Sequence, residues 1–150
     1  MRAGLDTPIG SFWVEAEDDA VIACGWGHAP GAAGHPVLEQ ALAEIDGYFT
    51  GQRAEFDVPV RISAEGVQGR VMHAMRAIAF GETLTYGEIA ASVGASAQAV
   101  GQACGANPIP ILVPCHRVLG AHGLGGFSAP GGIETKVALL KHEGAASLLI

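Results

Sequence analysis

Cysteine is scarce in this sequence, and its spacing excludes two kinds of site. The 150 residues contain Cys24, Cys104 and Cys115. Three widely separated cysteines form neither a disulfide framework nor a CxxC metal pair. The six histidines show no HExxH or comparable ligand spacing either. We therefore expect no bound metal.

Long hydrophobic runs are also absent. The longest apolar stretches, such as residues 108–114, are far shorter than the roughly 20 residues of a membrane helix. Asp6, Pro8 and Gly10 interrupt any apolar region at the start, so we predict no signal peptide. With 49% hydrophobic and 15% charged residues, the chain is typical of a folded domain rather than a disordered one. These features predict a soluble, cytoplasmic protein with no membrane partner.

Positive charge is rare in the first half of the chain. Residues 1–65 carry 3 basic and 11 acidic side chains, whereas residues 66–150 carry 5 basic and 4 acidic ones, giving a net charge of −7. The first half would repel phosphates, so any nucleic-acid partner must bind through the second half. Charge alone argues against DNA, because few counterions would be released on binding.

The first half has the pattern of a small α/β unit. Ile9–Ala16 and Ala20–Trp26 mix aromatic and β-branched residues around an acidic turn, which predicts a β-hairpin. Apolar residues then recur at helical spacing from Pro36 until Gly51. The alternating stretch Glu55–Ile62 predicts a third strand, so we expect this unit to end near residue 63.

The second half predicts two short helices joined by a tight turn. Thr85 and Glu88 have the spacing of a capping box, which predicts a helix from Tyr86 to about Val93. Ser96 can cap a second helix, Ala97 to about Ala106. This is the outline of a helix-turn-helix, although many helical hairpins bind nothing. The second helix has no Lys or Arg, so its small side chains suit a minor groove or a protein neighbour equally well.

The stretch 107–119 holds the residues most suited to chemistry. Its three prolines fix the backbone and remove hydrogen-bond donors, which predicts a rigid arm rather than a central strand. Cys115 follows the last proline and has two interpretations. One is an inert buried cysteine. The other is a nucleophile whose thiolate is favoured by a neighbouring cation, for which His116 and Arg117 are candidates.

The residues Pro114–Val118, with the sequence PCHRV, resemble the active-site signature of the O6-alkylguanine-DNA alkyltransferases, the methylated-DNA–protein-cysteine methyltransferases. The similarity covers nearly the whole chain and is strongest from 81 to 144. Further residues that match the family in order and spacing are Thr7-Pro8-Ile9-Gly10, Gly81-Glu82, Tyr86-Gly87-Glu88-Ile89-Ala90, Ala99-Val100-Gly101, Asn107-Pro108, Gly131-Gly132, Lys136 and His142-Glu143-Gly144.

The resemblance implies an α+β fold with two subdomains. Residues 1–63 would form an N-terminal ribonuclease-H-like scaffold of sheet and helix. Residues 64–150 would form a C-terminal winged-helix-like subdomain that holds the helix-turn-helix and the reactive cysteine. It further implies a monomer without an organic cofactor. The implied partner is double-stranded DNA containing alkylated guanine, bound from the minor groove.

The implied reaction is direct repair of O6-alkylguanine, and of O4-alkylthymine, in which the protein keeps the alkyl group. Cys115 would be the nucleophile and alkyl acceptor, and His116 would act as base through a water with Glu143 orienting it. Tyr86 would donate to the leaving base, and Asn107 would hold the turn before the active-site arm. A thioether is not readily hydrolysed, so one protein molecule would be consumed per lesion. The damaged base would be flipped out of the duplex.

The resemblance also implies which residues bind DNA and the base, and the chain departs from the family's pattern at several positions, among them Gln98. Gln98 stands where the family usually has an arginine that fills the space of the extruded base, so we expect weaker flipping and DNA affinity. The implied DNA- and base-binding residues are Gln98, Ala99 and Gly101 on the second helix, the carbonyls of Cys115 and Val118, and a loop amide near Ser128 or Ala129.

Three alternative functions remain open at this stage. One is a protein that binds alkylated bases without transferring the alkyl group, although its known relatives of that kind lack the nucleophilic cysteine. Another is a thiol hydrolase that uses Cys115, His116 and Glu143 with multiple turnover. The third is an alkyltransferase that acts on single strands or on another alkyl donor because of Gln98.

Overall fold

Three antiparallel strands and one helix form the first of two units in this computed structural model, which describes residues 1–31 and 34–145. The units are Met1–Arg61 and Ile62–Ile150, and the last five residues of the predicted C-terminal subdomain lie outside the described residues. The elements are β1 (Arg2–Thr7), β2 (Gly10–Glu17), β3 (Ala20–Trp26), α1 (Pro36–Phe49), α2 (Gly66–Arg76), β4 (Leu84–Thr85), α3 (Tyr86–Val93), α4 (Ala97–Gly105), a 3₁₀ turn (Cys115–Arg117), β5 (Val118–Leu119) and α5 (Ile133–His142).

The N-terminal sheet has the order β1-β2-β3, and α1 packs on it. Phe12 pairs with Trp26 across β2 and β3, and their rings meet edge to face with centroids 5.1 Å apart. Alternating side chains of the strands, including Val14 and Val21, meet Leu38 in a fully buried core. At the start of α1, His35 Nδ1 accepts a hydrogen bond from the Leu38 amide at 3.3 Å. The predicted hairpin and helix of this unit are therefore both present.

Two features of this unit differ from the sequence prediction. Strand β1 was not predicted, and it forms because all six of its residues pair with β2. The predicted third strand, Glu55–Ile62, is wrong, since this stretch makes a single bridge between Val60 and Val21. The amides of Asp57 and Val58 donate to buried Glu44 at 2.8 and 3.0 Å instead of to a neighbouring strand.

The C-terminal unit is built on three helices, α2, α3 and α4, that contact one another. The capping box at the start of α3 is present, with Thr85 and Glu88 each accepting from the other's amide at 3.1 and 2.9 Å. Gly94 ends α3 with a left-handed φ of 71°, a conformation that glycine adopts without a steric penalty. Ser96 Oγ then accepts from the Ala99 amide and begins α4. The predicted helix-turn-helix outline is thus α3, the turn 94–96 and α4.

A short parallel pair, β4 with β5, and helix α5 complete this unit. The pair places Leu84 beside Val118, so the turn that starts at Cys115 runs next to the beginning of α3. The α+β class predicted from the sequence is confirmed. Within the described residues, none of the helices is long and apolar enough to cross a membrane.

Candidate active site

A rigid arm leads from α4 to Cys115. Asn107 holds this arm, because its Nδ2 donates to the Val113 carbonyl at 2.8 Å and its Oδ1 accepts from the Ile109 amide at 3.0 Å. Between them Ile111 has φ of 73°, a left-handed conformation that is costly for a β-branched residue. Such strain persists only where the surroundings enforce it. The arm therefore fixes the position at which Cys115 follows.

Cys115 lies on the wall of a cavity although only 7% of its surface is exposed. Burial raises the pKa of the thiol, whereas a hydrogen bond with the Asn107 side chain and the charge of Lys136 act in the opposite direction. Because burial has the largest effect, the resting group is a neutral thiol. A reaction at this sulfur must remove its proton during the chemical step.

His116 is fully buried and is held by Glu143. Its Nε2 lies 2.8 Å from Glu143 Oε2. A carboxylate can only accept, so the imidazole carries its proton on Nε2 and leaves Nδ1 as a bare acceptor. Nδ1 is buried and has no hydrogen-bond partner among the described residues. Burial lowers the pKa of His116 despite the opposing effect of Glu143, so the ring is neutral and able to take up a proton.

Arg117 does not contact the thiol, contrary to one interpretation of the sequence. Its Nε and Nη2 donate to the two oxygens of Glu143, each at 2.8 Å, and its Nη1 donates to the Ile78 carbonyl at 2.7 Å. This bidentate pair fixes the carboxylate that in turn orients His116. The guanidinium of Arg117 thus positions the carboxylate that binds the imidazole. The cation that favours the thiolate of Cys115 is Lys136.

The buried imidazole makes the stability of the fold depend on pH. In the unfolded chain His116 takes up a proton near pH 6.5, whereas its lowered pKa keeps it neutral in the fold. The unfolded state therefore binds more protons below pH 6.5, and stability falls as the pH decreases, by up to about 1.4 kcal/mol per pH unit. Urea unfolding between pH 7.5 and 5 measures this slope.

His116→Gln should remove this part of the pH dependence, because the replacement does not titrate. The matched control is His122→Gln, at an exposed position after β5, which should keep the slope of the unmodified protein. An equal slope in all three proteins would show that His116 is not the group responsible.

Lys136 is fully buried. From the sequence it was identified only as one of the residues that match the family. Its Nζ donates to the Val118 carbonyl at 2.6 Å and to the Gly126 carbonyl at 3.1 Å, and it lies 5.7 Å from the centre of the Tyr86 ring. Burial lowers its pKa to about 8. The lysine thus ties the strand after Cys115 to the loop that forms the opposite wall of the cavity.

Lys136→Met should loosen that loop and destabilise the unit. The variant leaves the Val118 and Gly126 carbonyls without their charged donor, which we expect to cost about 3 kcal/mol. Urea unfolding measures the loss, and hydrogen exchange should show faster exchange in residues 120–128. Lys141→Met on the exposed side of the same helix is the control, and a loss of similar size there would contradict the role of Lys136.

The cavity in front of Cys115 has a volume of about 320 Å³. Tyr86 closes one side, and burial raises the pKa of its hydroxyl while a hydrogen bond with the Gly126 backbone opposes that rise. Ser128 lies on the loop wall. Gly101, Cys104 and Gly105 on α4 form the facing wall. Tyr86, Cys115 and Ser128, predicted from the sequence as site residues, therefore line one cavity.

The remaining predicted DNA- and base-binding residues lie near this cavity or on the surface of α4. Gln98 is exposed in the first turn of α4, and Ala99 is half-buried beside it. Gly101 reaches the cavity wall. The Val118 carbonyl already accepts from Lys136, which engages one of its two lone pairs.

The described residues contain no group of three or more His, Cys, Asp or Glu side chains that could hold a metal ion. The carboxylate of the site, Glu143, is bound by two protein side chains, those of His116 and Arg117. The groups brought together here are the Cys115 thiol, the imidazole of the next residue, His116, and the Glu143 carboxylate that holds that imidazole; nucleophilic catalysis uses groups of these three types.

Two family models together match almost the whole chain. The model described as 6-O-methylguanine DNA methyltransferase, DNA binding domain, matches residues 66–145. The model described as 6-O-methylguanine DNA methyltransferase, ribonuclease-like domain, matches residues 2–62. The chain belongs to the 6-O-methylguanine DNA methyltransferase family. This confirms the resemblance identified in the motifs, the ribonuclease-like and DNA-binding fold, and the enzyme class, methylated-DNA–protein-cysteine methyltransferase.

Relatives of the same family are similar over most of the chain. The methylated-DNA–protein-cysteine methyltransferase of Mycolicibacterium paratuberculosis is 39% identical over 93% of this chain and 89% of its own length. That of Metallosphaera sedula is 45% identical over 68% of this chain, which spans 65% of the relative. The crystal structure of Mycobacterium tuberculosis OGT in complex with DNA has a TM-score of 0.85 and 38% identity, covering 95% of this chain and 92% of that one. Together these relatives support DNA repair by alkyl transfer.

Three residues of this methyltransferase site were not found by sequence reasoning. Lys136 was noted only as a motif match, Arg117 was considered only as a candidate cation beside the thiol, and Cys104 was not predicted as a site residue. For Cys104 a signal existed, because it follows Gly101 by three residues on a predicted helix and so shares its face. For Lys136 and Arg117 the partners are backbone carbonyls and a distant carboxylate, which no local pattern indicates.

Proposed function

We propose that this protein repairs O6-alkylguanine, and O4-alkylthymine, in DNA by transferring the alkyl group to Sγ of its own Cys115. One observation carries the proposal most directly. Cys115 lines a cavity, and the next residue, His116, offers a bare Nδ1 because Glu143 holds its other nitrogen at 2.8 Å. A thiol next to an oriented base is the arrangement that activates a sulfur nucleophile.

In the proposed reaction a bond forms between Sγ and the alkyl carbon as the bond from that carbon to O6 breaks. The thiol proton passes to His116 Nδ1 through a bridging water. The guanine leaves with the electron pair of the broken bond and takes a proton from the Tyr86 hydroxyl, which lines the same cavity. His116 returns its proton to solvent as Tyr86 is reprotonated. Glu143 stabilises the imidazolium while it exists.

The cavity also suits recognition of a flipped base. The carbonyls of Cys115 and Val118 would accept from the exocyclic amine, and a loop amide near Ser128 would donate to the oxygen. The half-buried Ala99 and the wall residue Gly101 give α4 a smooth surface, which permits close approach to a minor groove. Flipping costs a few kcal/mol, and less for a damaged base. Asn107 supports the site indirectly by holding the arm.

The two predicted domains have separate roles in this proposal. Residues 1–63 are the acidic scaffold, which stays away from the phosphates, and residues 64–150 bind DNA and carry out the transfer as part of a monomer. The uneven charge of the two halves supports this division, since 11 of the 15 acidic residues precede residue 66. We further propose that the protein is cytoplasmic, as expected from the sequence.

The test is a count of transferred groups. Increasing amounts of a duplex with one O6-methylguanine are mixed with a fixed amount of protein, and restored guanine is measured. Because a thioether does not hydrolyse readily, product should stop at one equivalent of protein. Continued turnover would favour a hydrolase instead, and binding with no restored guanine would favour a protein that only recognises the lesion.

A second candidate function is alkyl transfer with weak duplex binding, and Gln98 is the observation that favours it. This exposed residue lies in the first turn of a helix without any Lys or Arg, so α4 itself contributes little attraction for phosphates.

Gln98→Arg should speed transfer from duplex, by roughly tenfold if one phosphate or base contact worth about 1.4 kcal/mol is gained. Transfer from the free nucleoside is the control and should stay unchanged. Slower transfer from duplex in the variant would contradict the idea that Gln98 limits DNA binding.

A further inference from the structure

The positively charged side chains on the surface of the C-terminal unit have no carboxylate partners. All three arginines of the N-terminal unit pair with carboxylates of that unit. Two cations of the C-terminal unit, Arg117 and Lys136, are buried and bind groups within the fold. The other three are exposed and form no ion pair among the described residues. They are Arg70, Arg76 and Lys141.

Arg70 is held against the helix-turn-helix by a hydrogen bond. Its Nε donates to the Val93 carbonyl at 3.1 Å, and Val93 is the last residue of α3 before the turn 94–96. The Nη1 and Nη2 groups of Arg70 bind no other group among the described residues. Because a guanidinium has five N–H donors in a rigid plane, one bond fixes its position and leaves the amino groups available to an anion.

The helix that follows this turn has no positive charge of its own. α4 contains no Lys or Arg, and the exposed Gln98 lies in its first turn. A helix-turn-helix protein is positioned on a duplex by contacts to phosphate oxygens, to which elements around the second helix contribute. Arg70 reaches this motif from the neighbouring helix α2. A phosphate bound there would supply the attraction that α4 lacks.

We propose that Arg70 binds a phosphate of the DNA backbone beside the turn 94–96 and thereby holds the duplex on α4. The inference rests on the proposed function, because the DNA is the substrate of that reaction. Nε stays on the Val93 carbonyl, and Nη1 and Nη2 donate to the phosphate oxygens, a geometry that suits a guanidinium. A contact to the backbone does not depend on the base. Arg70 therefore strengthens binding and takes no part in the transfer step.

The salt dependence of binding distinguishes a phosphate contact from a structural role of Arg70. A protein releases counterions from DNA when it neutralises a phosphate, and the slope of log affinity against log salt is about −0.9 per contact. Loss of one contact should therefore weaken binding by about fivefold to tenfold near 0.1 M salt and by less at higher salt. Loss of a structural hydrogen bond would change affinity without changing this slope.

The test measures single-turnover transfer from an O6-methylguanine duplex at several duplex and salt concentrations. Each protein gives a half-saturating duplex concentration and a maximal rate. The variants are Arg70→Gln, which keeps an amide donor for the Val93 carbonyl but no charge, and Arg70→Lys, which keeps the charge. The matched control is Arg76→Gln, an equal loss of charge from an exposed position on the same helix. Urea unfolding checks that all four proteins are equally stable.

Arg70→Gln should raise the half-saturating duplex concentration by about fivefold to tenfold near 0.1 M salt, and its salt slope should be shallower by about 0.9. Its maximal rate should stay unchanged, because Arg70 does not touch the reacting atoms. Arg70→Lys should keep the slope of the unmodified protein, since a lysine also neutralises a phosphate. Arg76→Gln should leave the half-saturating concentration and the slope unchanged.

Three results would overturn the inference and leave the proposed function intact. One is an unchanged slope in Arg70→Gln. Another is an equal change in Arg76→Gln, which would assign the effect to the net charge of the unit. The third is an equal loss in Arg70→Lys and Arg70→Gln, which would assign it to the guanidinium's contact with Val93. Absence of transfer from the duplex by the unmodified protein would instead contradict the proposed function itself.

Discussion

Cys115→Ser should abolish alkyl transfer, with a fall in rate of at least about 10⁴-fold, the scale seen when an enzyme loses its nucleophile. The hydroxyl is slightly smaller than the thiol, so it fits the same space, but it is far less acidic and less nucleophilic. The two hydrogen bonds by which Asn107 holds the arm go to the backbone of Ile109 and Val113 and not to the sulfur, so the fold should persist. Single-turnover assays with an O6-methylguanine duplex measure the loss.

Cys24→Ala is the matched control for this prediction. Cys24 is also a buried, unoxidised cysteine, but it lies on β3 in the other unit. Its replacement should leave the transfer rate per folded molecule unchanged. Retention of substantial transfer by Cys115→Ser, or an equal loss in Cys24→Ala, would remove Cys115 from its proposed role.

Glu143→Gln should impair both the reaction and the fold. The neutral amide leaves the Arg117 guanidinium, which is 6% exposed, without its counter-charge. Breaking one partner of a buried ion pair costs about 3–5 kcal/mol. The same change removes the group that fixes the His116 tautomer at 2.8 Å, and loss of such an orienting carboxylate lowers rates by roughly 10³- to 10⁴-fold. Urea unfolding and single-turnover kinetics measure the two effects.

Glu44→Gln separates stability from catalysis in this comparison. Glu44 is likewise a buried carboxylate, but it accepts from the amides of Asp57 and Val58 in the N-terminal unit. Its replacement should destabilise the protein while the rate per folded molecule stays constant. If Glu143→Gln lowers only stability, as Glu44→Gln should, then Glu143 has a structural role and does not assist the imidazole.

Local sequence signals predicted the framework of the site well. The capping box of Thr85 and Glu88 and the Ser96 cap each act within a few residues, and both are present in the structure. The role of Asn107 was implied by the family resemblance and not by a local pattern, although its partners lie only two and six positions ahead. Interactions of this range can be read from spacing, because the chain itself brings the partners together.

Contacts between side chains that lie far apart in the sequence could not be predicted in this way. Arg117 lies two residues after Cys115 in the sequence, yet its guanidinium forms an ion pair with Glu143, 26 residues further along the chain. Lys136 instead supplies the cation near the thiol, from a helix that begins after the loop. The predicted strand at Glu55–Ile62 was also wrong because of a long-range contact. Two amides of this stretch donate to the buried carboxylate of Glu44 on α1 instead of pairing with a strand.

The central claim is that the alkyl group ends on Cys115, and the most direct measurement is the mass of the protein after reaction. The protein is mixed with an O6-methylguanine duplex, its intact mass is recorded, and the modified peptide is mapped. We predict a gain of one methyl group per chain, located on the peptide that contains Cys115, and no gain in Cys115→Ser. A methyl group found on Cys24, Cys104 or a histidine, or restored guanine without any gain in protein mass, would contradict the account.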